Sequence, residues 1–229
     1  MIMNSKLVKL VKAWQTQGSA QQRGFDWSAS QENWREAFPL EAAFISKLKP
    51  EISRGEVHRV MGSTKFGIRE KFLAVMIWGY GNRGYGPYRV TKILAQANAE
   101  GVLTQVCKLA QQGKPLEAYL YLSKNRLKQL GPSYGSKFLS FCAPREIGAP
   151  IYDSLVARWV RDYAADDFAG VSTNSANWSL KTYTRYFDWI AEHAKALDCY
   201  SDEIEHVLFQ AAENEYSRTR AKQITEGRR

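Results

Sequence analysis

Lys137 and Asp153 are the residues of this chain whose types and positions best suit covalent chemistry. Lys137 follows a glycine-rich stretch, residues 131–135, and precedes the apolar residues of a short helix. A neutral lysine amine is a nucleophile that forms Schiff bases. Asp153 stands directly before an apolar helical run, where an aspartate caps the helix and its carboxylate can stabilise a positive charge. Taken singly, a solvated lysine and a simple helix cap are the alternatives.

The stretch before Lys137 reads Gly-Pro-Ser-Tyr-Gly, which favours a tight turn between two short helices over residues 125–142. Such a turn exposes backbone N–H groups at the start of the second helix, and these groups bind anions. In a basic protein the expected anion is a phosphodiester. The residues predicted to contact nucleic acid here are Gly131, Ser133, Tyr134, Gly135 and Ser136.

A second glycine-rich stretch, residues 79–87, follows the apolar helical pattern of residues 66–78. Four glycines in nine residues disfavour helix and allow the backbone to approach a ligand closely. Aromatic side chains in and beside this loop are candidates for stacking on nucleic-acid bases. These candidates are Trp78, Tyr80, Tyr85 and Tyr88. The alternatives are a long turn without function and aromatic residues that belong to the core.

The composition excludes several classes of protein. Of the 229 residues 45% are hydrophobic, which permits a sizeable core and argues against disorder. The longest apolar run, residues 72–78, is too short to span a membrane. Three cysteines are too few for a disulfide framework and the three histidines lack metal-ligand spacing, so we expect a reducing compartment and neither metal nor cofactor. The net charge of +9 favours a polyanionic partner.

Apolar residues recur mostly at helical spacing, which predicts an all-α fold of about ten helices. No Gly-Ser or Pro-rich linker divides the chain, so residues 1–229 are predicted to form one unit. Within that unit, two lobes with a cleft between them are possible. One lobe would comprise residues 66–150, and the other residues 1–65 together with 151–229.

Residues 130–137, with the sequence LGPSYGSK, resemble the helix-hairpin-helix element of the DNA glycosylase superfamily that includes endonuclease III and 8-oxoguanine DNA glycosylase. That family's pattern is Leu-x-Gly-x-Gly-x-Lys, followed by an aspartate at the head of the next helix. Gly135 matches the second glycine, Lys137 the catalytic lysine and Asp153 the catalytic aspartate. Ser133 replaces the first glycine, and Gly131 stands where the leucine is expected. The four-cysteine cluster of endonuclease III is absent, so the chain looks most like the compact prokaryotic 8-oxoguanine-glycosylase-like branch.

The resemblance implies that the protein flips one nucleotide of double-stranded DNA into a pocket between two helical lobes. Lys137 would attack C1′ of the sugar, expel the base and form a Schiff base, and Asp153 would stabilise positive charge on the sugar. β-Elimination would then nick the strand, which is AP lyase activity. In the loop, Asn82 would fill the gap left by the flipped base and Arg83 would contact the orphaned partner base.

The family branch makes 8-oxoguanine the first expected substrate, in a cytoplasmic, nucleoid-associated and monomeric bacterial protein. Two alternatives remain open on the same residues. One is a defence glycosylase that excises hypermodified bases from phage DNA. The other is a helix-hairpin-helix protein that binds DNA without catalysis.

Overall fold

The computed structural model describes residues 3–17 and 24–226, whose regular structure is twelve α-helices, two short 3₁₀ turns and one two-stranded antiparallel sheet. The predicted all-α class is confirmed. The strands are β1 (Phe25–Asp26) and β2 (Glu51–Ile52). The helices in chain order are α1 (Ser5–Thr16), α2 (Ser28–Ala37), α3 (Ala42–Ile45), α4 (Arg54–Gly62), α5 (Ile68–Tyr80), α6 (Gly86–Leu94), α7 (Ala99–Gln111), α8 (Pro115–Lys124), α9 (Pro132–Cys142), α10 (Ser154–Tyr163), α11 (Leu180–Ala196) and α12 (Ser201–Glu226).

Helix α5 lies at the centre of the fold. Six consecutive residues of this helix, 72–77, are completely buried, so it is apolar on all sides. It packs against α7 and α9, and Phe72 meets Phe138 of α9 edge to face with ring centroids 5.2 Å apart. Within the described parts of the chain, no helix is both long and apolar enough to cross a lipid bilayer.

The two ends of the described chain meet at α12. Helices α1, α10 and α11 pack against α12, while α4 packs against α9. Arg54 of α4 forms a buried ion pair with Glu205 of α12, which links segments distant in sequence. The buried apolar side chains, from Leu7 to Ala212, form one continuous cluster.

The turn before Lys137 lies earlier in the chain than the glycine pattern predicts. Residues 125–131 connect α8 to α9, and Gln129 takes the left-handed backbone conformation with φ 73°. Helix α9 begins at Pro132, because the fixed φ and missing N–H of proline suit the first helical position. Residues 132–135 are therefore helical, and Lys137 lies in the second turn of α9.

The second glycine-rich loop is shorter than predicted. Helix α5 continues to Tyr80 and α6 begins at Gly86, so residues 81–85 alone form the connection. Gly81 ends α5 with φ 56°, and its missing side chain leaves room for the Phe25 ring, whose nearest carbon would lie 3.2 Å from an added Cβ. The loop therefore packs against β1.

Candidate active site

Lys137 lies on α9 with only 8% of its surface exposed. Its Nζ is 3.0 Å from Oδ2 of Asp153 and 3.5 Å from the hydroxyl of Ser133, one turn earlier in α9. The two residues that the sequence singles out are therefore a direct, buried ion pair. A buried cation is tolerated only beside such a partner, because removing it from water is costly.

Asp153 is the N-cap of α10, as its position in the sequence predicts. Its Oδ1 accepts the backbone N–H groups of Leu155 and Val156, at 3.0 and 3.1 Å, which leaves Oδ2 for Lys137. Burial alone would raise the pKa of Asp153, but the charge of Lys137 and the two N–H donors outweigh burial and lower it. The group is consequently a carboxylate at neutral pH.

Two tyrosines and a glycine form the wall beside Lys137. The rings of Tyr80 and Tyr134 stack with centroids 4.2 Å apart, and Lys137 Nζ lies 5.5 Å from the centroid of Tyr134. A Cβ added to Gly79 would be 3.2 Å from the Tyr134 ring and 3.3 Å from Cδ of Lys137. The glycine thus allows α5 to approach the lysine stem closely.

The residues predicted to contact DNA at the start of α9 fall into two groups. Gly131, Ser133 and Tyr134 are partly exposed, and the N–H groups of the last two lie in the first turn, where helices lack internal acceptors. Gly135 and Ser136 are buried, so they are not placed to touch DNA in this conformation. They are buried because α9 begins at Pro132 and turns both residues towards the interior.

The loop residues 81–85 carry the other predicted contacts. Asn82 and Arg83 are exposed, and Asn82 Nδ2 donates a hydrogen bond to the carbonyl of Asp26 at 2.8 Å. Among the stacking candidates, Tyr85 is 51% and Tyr88 64% exposed. Tyr80 is buried against Tyr134, which favours the core alternative for Tyr80 over a stacking platform.

Trp78 is half-buried and belongs to a cluster of side chains from α4, α5 and α9. Its ring meets Phe141 edge to face at 5.0 Å, and the guanidinium of Arg54 lies 5.3 Å from the Trp78 ring centroid. The ring of His58 lies 4.9 Å from Phe141. The sequence offers no local signal for this cluster, because its members come from three helices.

A small polar cleft with room for about one water molecule opens next to this cluster. Ser140 of α9 lines it, whereas Lys137 Nζ lies beside Ser133, in the opposite direction along the helix. Burial and the charge of Arg54 lower the pKa of His58, so its imidazole is neutral at pH 7. The lining also includes Arg54, His58, Arg145, Gly148 and Asp202.

The buried Arg54–Glu205 pair lies within electrostatic reach of Lys137 and Asp153. Burial raises the pKa of Glu205, and Arg54 offsets part of this effect; Asp153 raises the same pKa and Lys137 lowers it. Four charged side chains therefore share one poorly hydrated region. No local sequence pattern indicates the pairing of Arg54 with Glu205, which lie 151 positions apart in the chain.

Comparison with known proteins identifies the family of the chain. The chain matches the model of a family described as "Putative 8-oxoguanine DNA glycosylase OGG-like protein" over residues 18–209. No curated protein and no solved structure matches the chain. The matched range includes α9, Lys137 and Asp153, together with the loop 81–85 and the cleft. The chain therefore belongs to the OGG-like 8-oxoguanine DNA glycosylase family, and its function is of the DNA glycosylase type.

Proposed function

We propose that this protein is a bifunctional DNA glycosylase and AP lyase in which Lys137 is the nucleophile. The observation that carries the proposal is the buried contact of 3.0 Å between Lys137 Nζ and Asp153 Oδ2. A buried lysine beside a carboxylate is costly to keep as structure alone, since apolar side chains of similar volume often stabilise as well or better. A carboxylate whose pKa is lowered by a specific charged partner, as that of Asp153 is, favours a chemical role.

The neutral amine of Lys137 forms a bond to C1′ of the target nucleotide. The bond from C1′ to the base nitrogen breaks with its electron pair going to the base, and the proton released by the amine neutralises the base. The C1′–O4′ bond then breaks with its electron pair going to O4′, which takes up a proton from solvent, and a protonated Schiff base remains on Lys137. That cation makes the C2′ proton acidic. Transfer of this proton to a base forms the C2′–C3′ double bond, and the C3′–O bond breaks with its electron pair leaving on the phosphate.

Asp153 supports this sequence as a carboxylate. Its lowered pKa keeps it charged, and a fixed negative charge stabilises the positive charge that develops on the sugar as the base leaves. The same carboxylate holds Lys137 Nζ by a hydrogen bond, so it orients the amine for attack.

Duplex DNA would contact the start of α9 and the loop 81–85. The N–H groups of Ser133 and Tyr134 suit a phosphate, Asn82 would occupy the gap left by the flipped nucleotide, and Arg83 would contact the orphaned base. The net charge of +9 supports a polyanionic substrate. The division into a lobe of residues 66–150 and a second lobe of the remaining residues belongs to the same proposal.

The family supports 8-oxoguanine as the first substrate to test.

Borohydride trapping on end-labelled duplexes tests the proposal. The panel carries 8-oxoguanine, oxidised pyrimidines, uracil, an abasic site and glucosylated hydroxymethylcytosine. We expect a covalent adduct with the wild type and none with Lys137→Gln, while Lys128→Gln, an exposed lysine of the preceding turn, retains it. The duplex that gives the most covalent adduct identifies the substrate, and its base distinguishes a repair function from phage defence. Binding without any adduct, strand cleavage or base release would instead favour the non-catalytic alternative.

A further inference from the structure

The segment that delivers Asp153 to Lys137, residues 149–153, is extended, buried and outside any helix or sheet. Side-chain hydroxyls satisfy its backbone groups instead. Tyr183 and Tyr186 of α11 donate to the carbonyls of Pro150 and Ile151, both at 3.0 Å. The N–H of the next residue, Tyr152, donates to the hydroxyl of Ser136 at 3.1 Å.

Ser136 connects α9, which carries Lys137, directly to the segment that carries Asp153. It is fully buried on α9, and its hydroxyl also donates to the carbonyl of Ser133 at 3.0 Å. Ser136 immediately precedes Lys137, and its partner Tyr152 immediately precedes Asp153. One hydroxyl therefore joins the backbone next to the amine to the backbone next to the carboxylate.

We infer that Ser136 is a positioning residue that fixes the distance between Lys137 and Asp153, with Tyr186 as a second support of the same segment. The inference rests on the proposed function for its kinetic consequence. Ser136 is fully buried, so its side chain is not placed to make the DNA contact that the sequence predicts for it. The tyrosine support persists at all ordinary pH values, because burial raises the pKa of Tyr186 and keeps its phenol protonated.

Loss of either hydroxyl leaves a buried backbone group without its partner. Ser136→Ala removes the acceptor of the Tyr152 N–H, and Tyr186→Phe removes the donor to the Ile151 carbonyl. Each backbone group would then need a new partner, because a buried unsatisfied group is costly. The segment can regain a partner by moving towards water, which draws Asp153 away from Lys137. A displacement of about 1 Å between reacting groups can reduce a rate by roughly 100-fold.

The first measurement is single-turnover trapping on a duplex with an abasic site. We expect Ser136→Ala to lower the rate at least 10-fold and Tyr186→Phe to lower it in the same direction. Affinity for a duplex carrying an unreactive tetrahydrofuran abasic analogue should stay within 2-fold. Ser46→Ala is the control. Ser46 is exposed at the end of α3, where its hydroxyl donates to the carbonyl of Ala42, and its replacement should leave both quantities unchanged.

The second measurement needs no activity. The carboxyl resonance of Asp153, followed by NMR against pH in the protein without DNA, should titrate at a higher pH in Ser136→Ala than in the wild type. Tyr186→Phe keeps the ring that packs in the core, and it gives the same test if Ser136→Ala does not fold.

The outcomes separate the two proposals. An unchanged trapping rate together with an unchanged Asp153 titration in both variants would overturn the positioning role. A wild type that forms no adduct would overturn the proposed function, and the Asp153 titration would still decide whether Ser136 holds the pair together.

Discussion

Trp178 lies over Gly135 so closely that a Cβ added to the glycine would be 2.4 Å from the edge of the indole. Leu122 of α8 would be 3.1 Å from the same atom. The missing side chain of Gly135 therefore allows α8 and the segment before α11 to pack closely against α9. Gly135 is two residues from Lys137, so this packing fixes the turn of helix that carries the amine.

Gly135→Ala should destabilise the protein by about 1–3 kcal/mol, which is the typical cost of overpacking a core. It should also slow adduct formation, because the side chain can be accommodated only if α9 or Trp178 moves. Gly101→Ala is the matched control: no atom lies within 4 Å of its added Cβ, and it is an exposed helical position. There we expect a gain of about 0.4–1 kcal/mol. Urea unfolding of both variants measures the difference, and equal stabilities would contradict the packing role.

The Lys137–Asp153 pair predicts a specific pH dependence of stability. The pKa of Asp153 is lower in the folded protein than in the unfolded chain, so its stabilising contribution is complete above the unfolded value, near roughly pH 4. It is lost as the pH falls through the folded value. Asp153→Asn should cost about 3 kcal/mol at neutral pH, since it removes one partner of a buried pair. The difference from the wild type should shrink as the pH falls below 4.

Denaturant unfolding of the wild type and Asp153→Asn across this range gives the measurement. Asp162→Asn is the control, because Asp162 is exposed and pairs with Arg161 at the surface. Its difference from the wild type should be within about 0.5 kcal/mol at every pH. A difference for Asp153→Asn that stays constant with pH would be inconsistent with a lowered pKa.

The sequence predicts the helices and the two central residues because both depend on local signals. Apolar residues at helical spacing predict α5 and α7, and an aspartate before such a run predicts the cap at Asp153. The position of Lys137 next to Asp153 follows from the resemblance, since nothing local brings α9 and α10 together.

The errors have tertiary causes. Gly135 reads as a turn residue, yet it lies within α9, which begins at Pro132, and Trp178, far along the chain, leaves no room for a larger side chain there. Ser136 is predicted from the sequence to contact DNA, yet it is buried on α9, where its hydroxyl accepts the N–H of Tyr152. Arg54 and Glu205 carry no sequence signal at all, because their partnership exists only when α4 and α12 meet.

The Arg54–Glu205 pair should behave as a coupled unit. Glu205→Gln removes the carboxylate that faces a buried guanidinium and should cost about 3 kcal/mol or more. Replacing both residues, as in Arg54→Met with Glu205→Leu, removes both charges and should recover more than half of that loss. A double-mutant cycle measured by urea unfolding tests this coupling, and additive effects of the two single changes would argue against it.

Arg83 should influence which base lies opposite the lesion. In Arg83→Ala, the preference for one opposite base should relax by about 1–3 kcal/mol, the value of one good contact to a base edge. The measurement is single-turnover excision on duplexes that differ only in the opposite base. If Arg83 contacts a phosphate instead, excision should weaken equally on all duplexes and the salt dependence of binding should fall by about one charge.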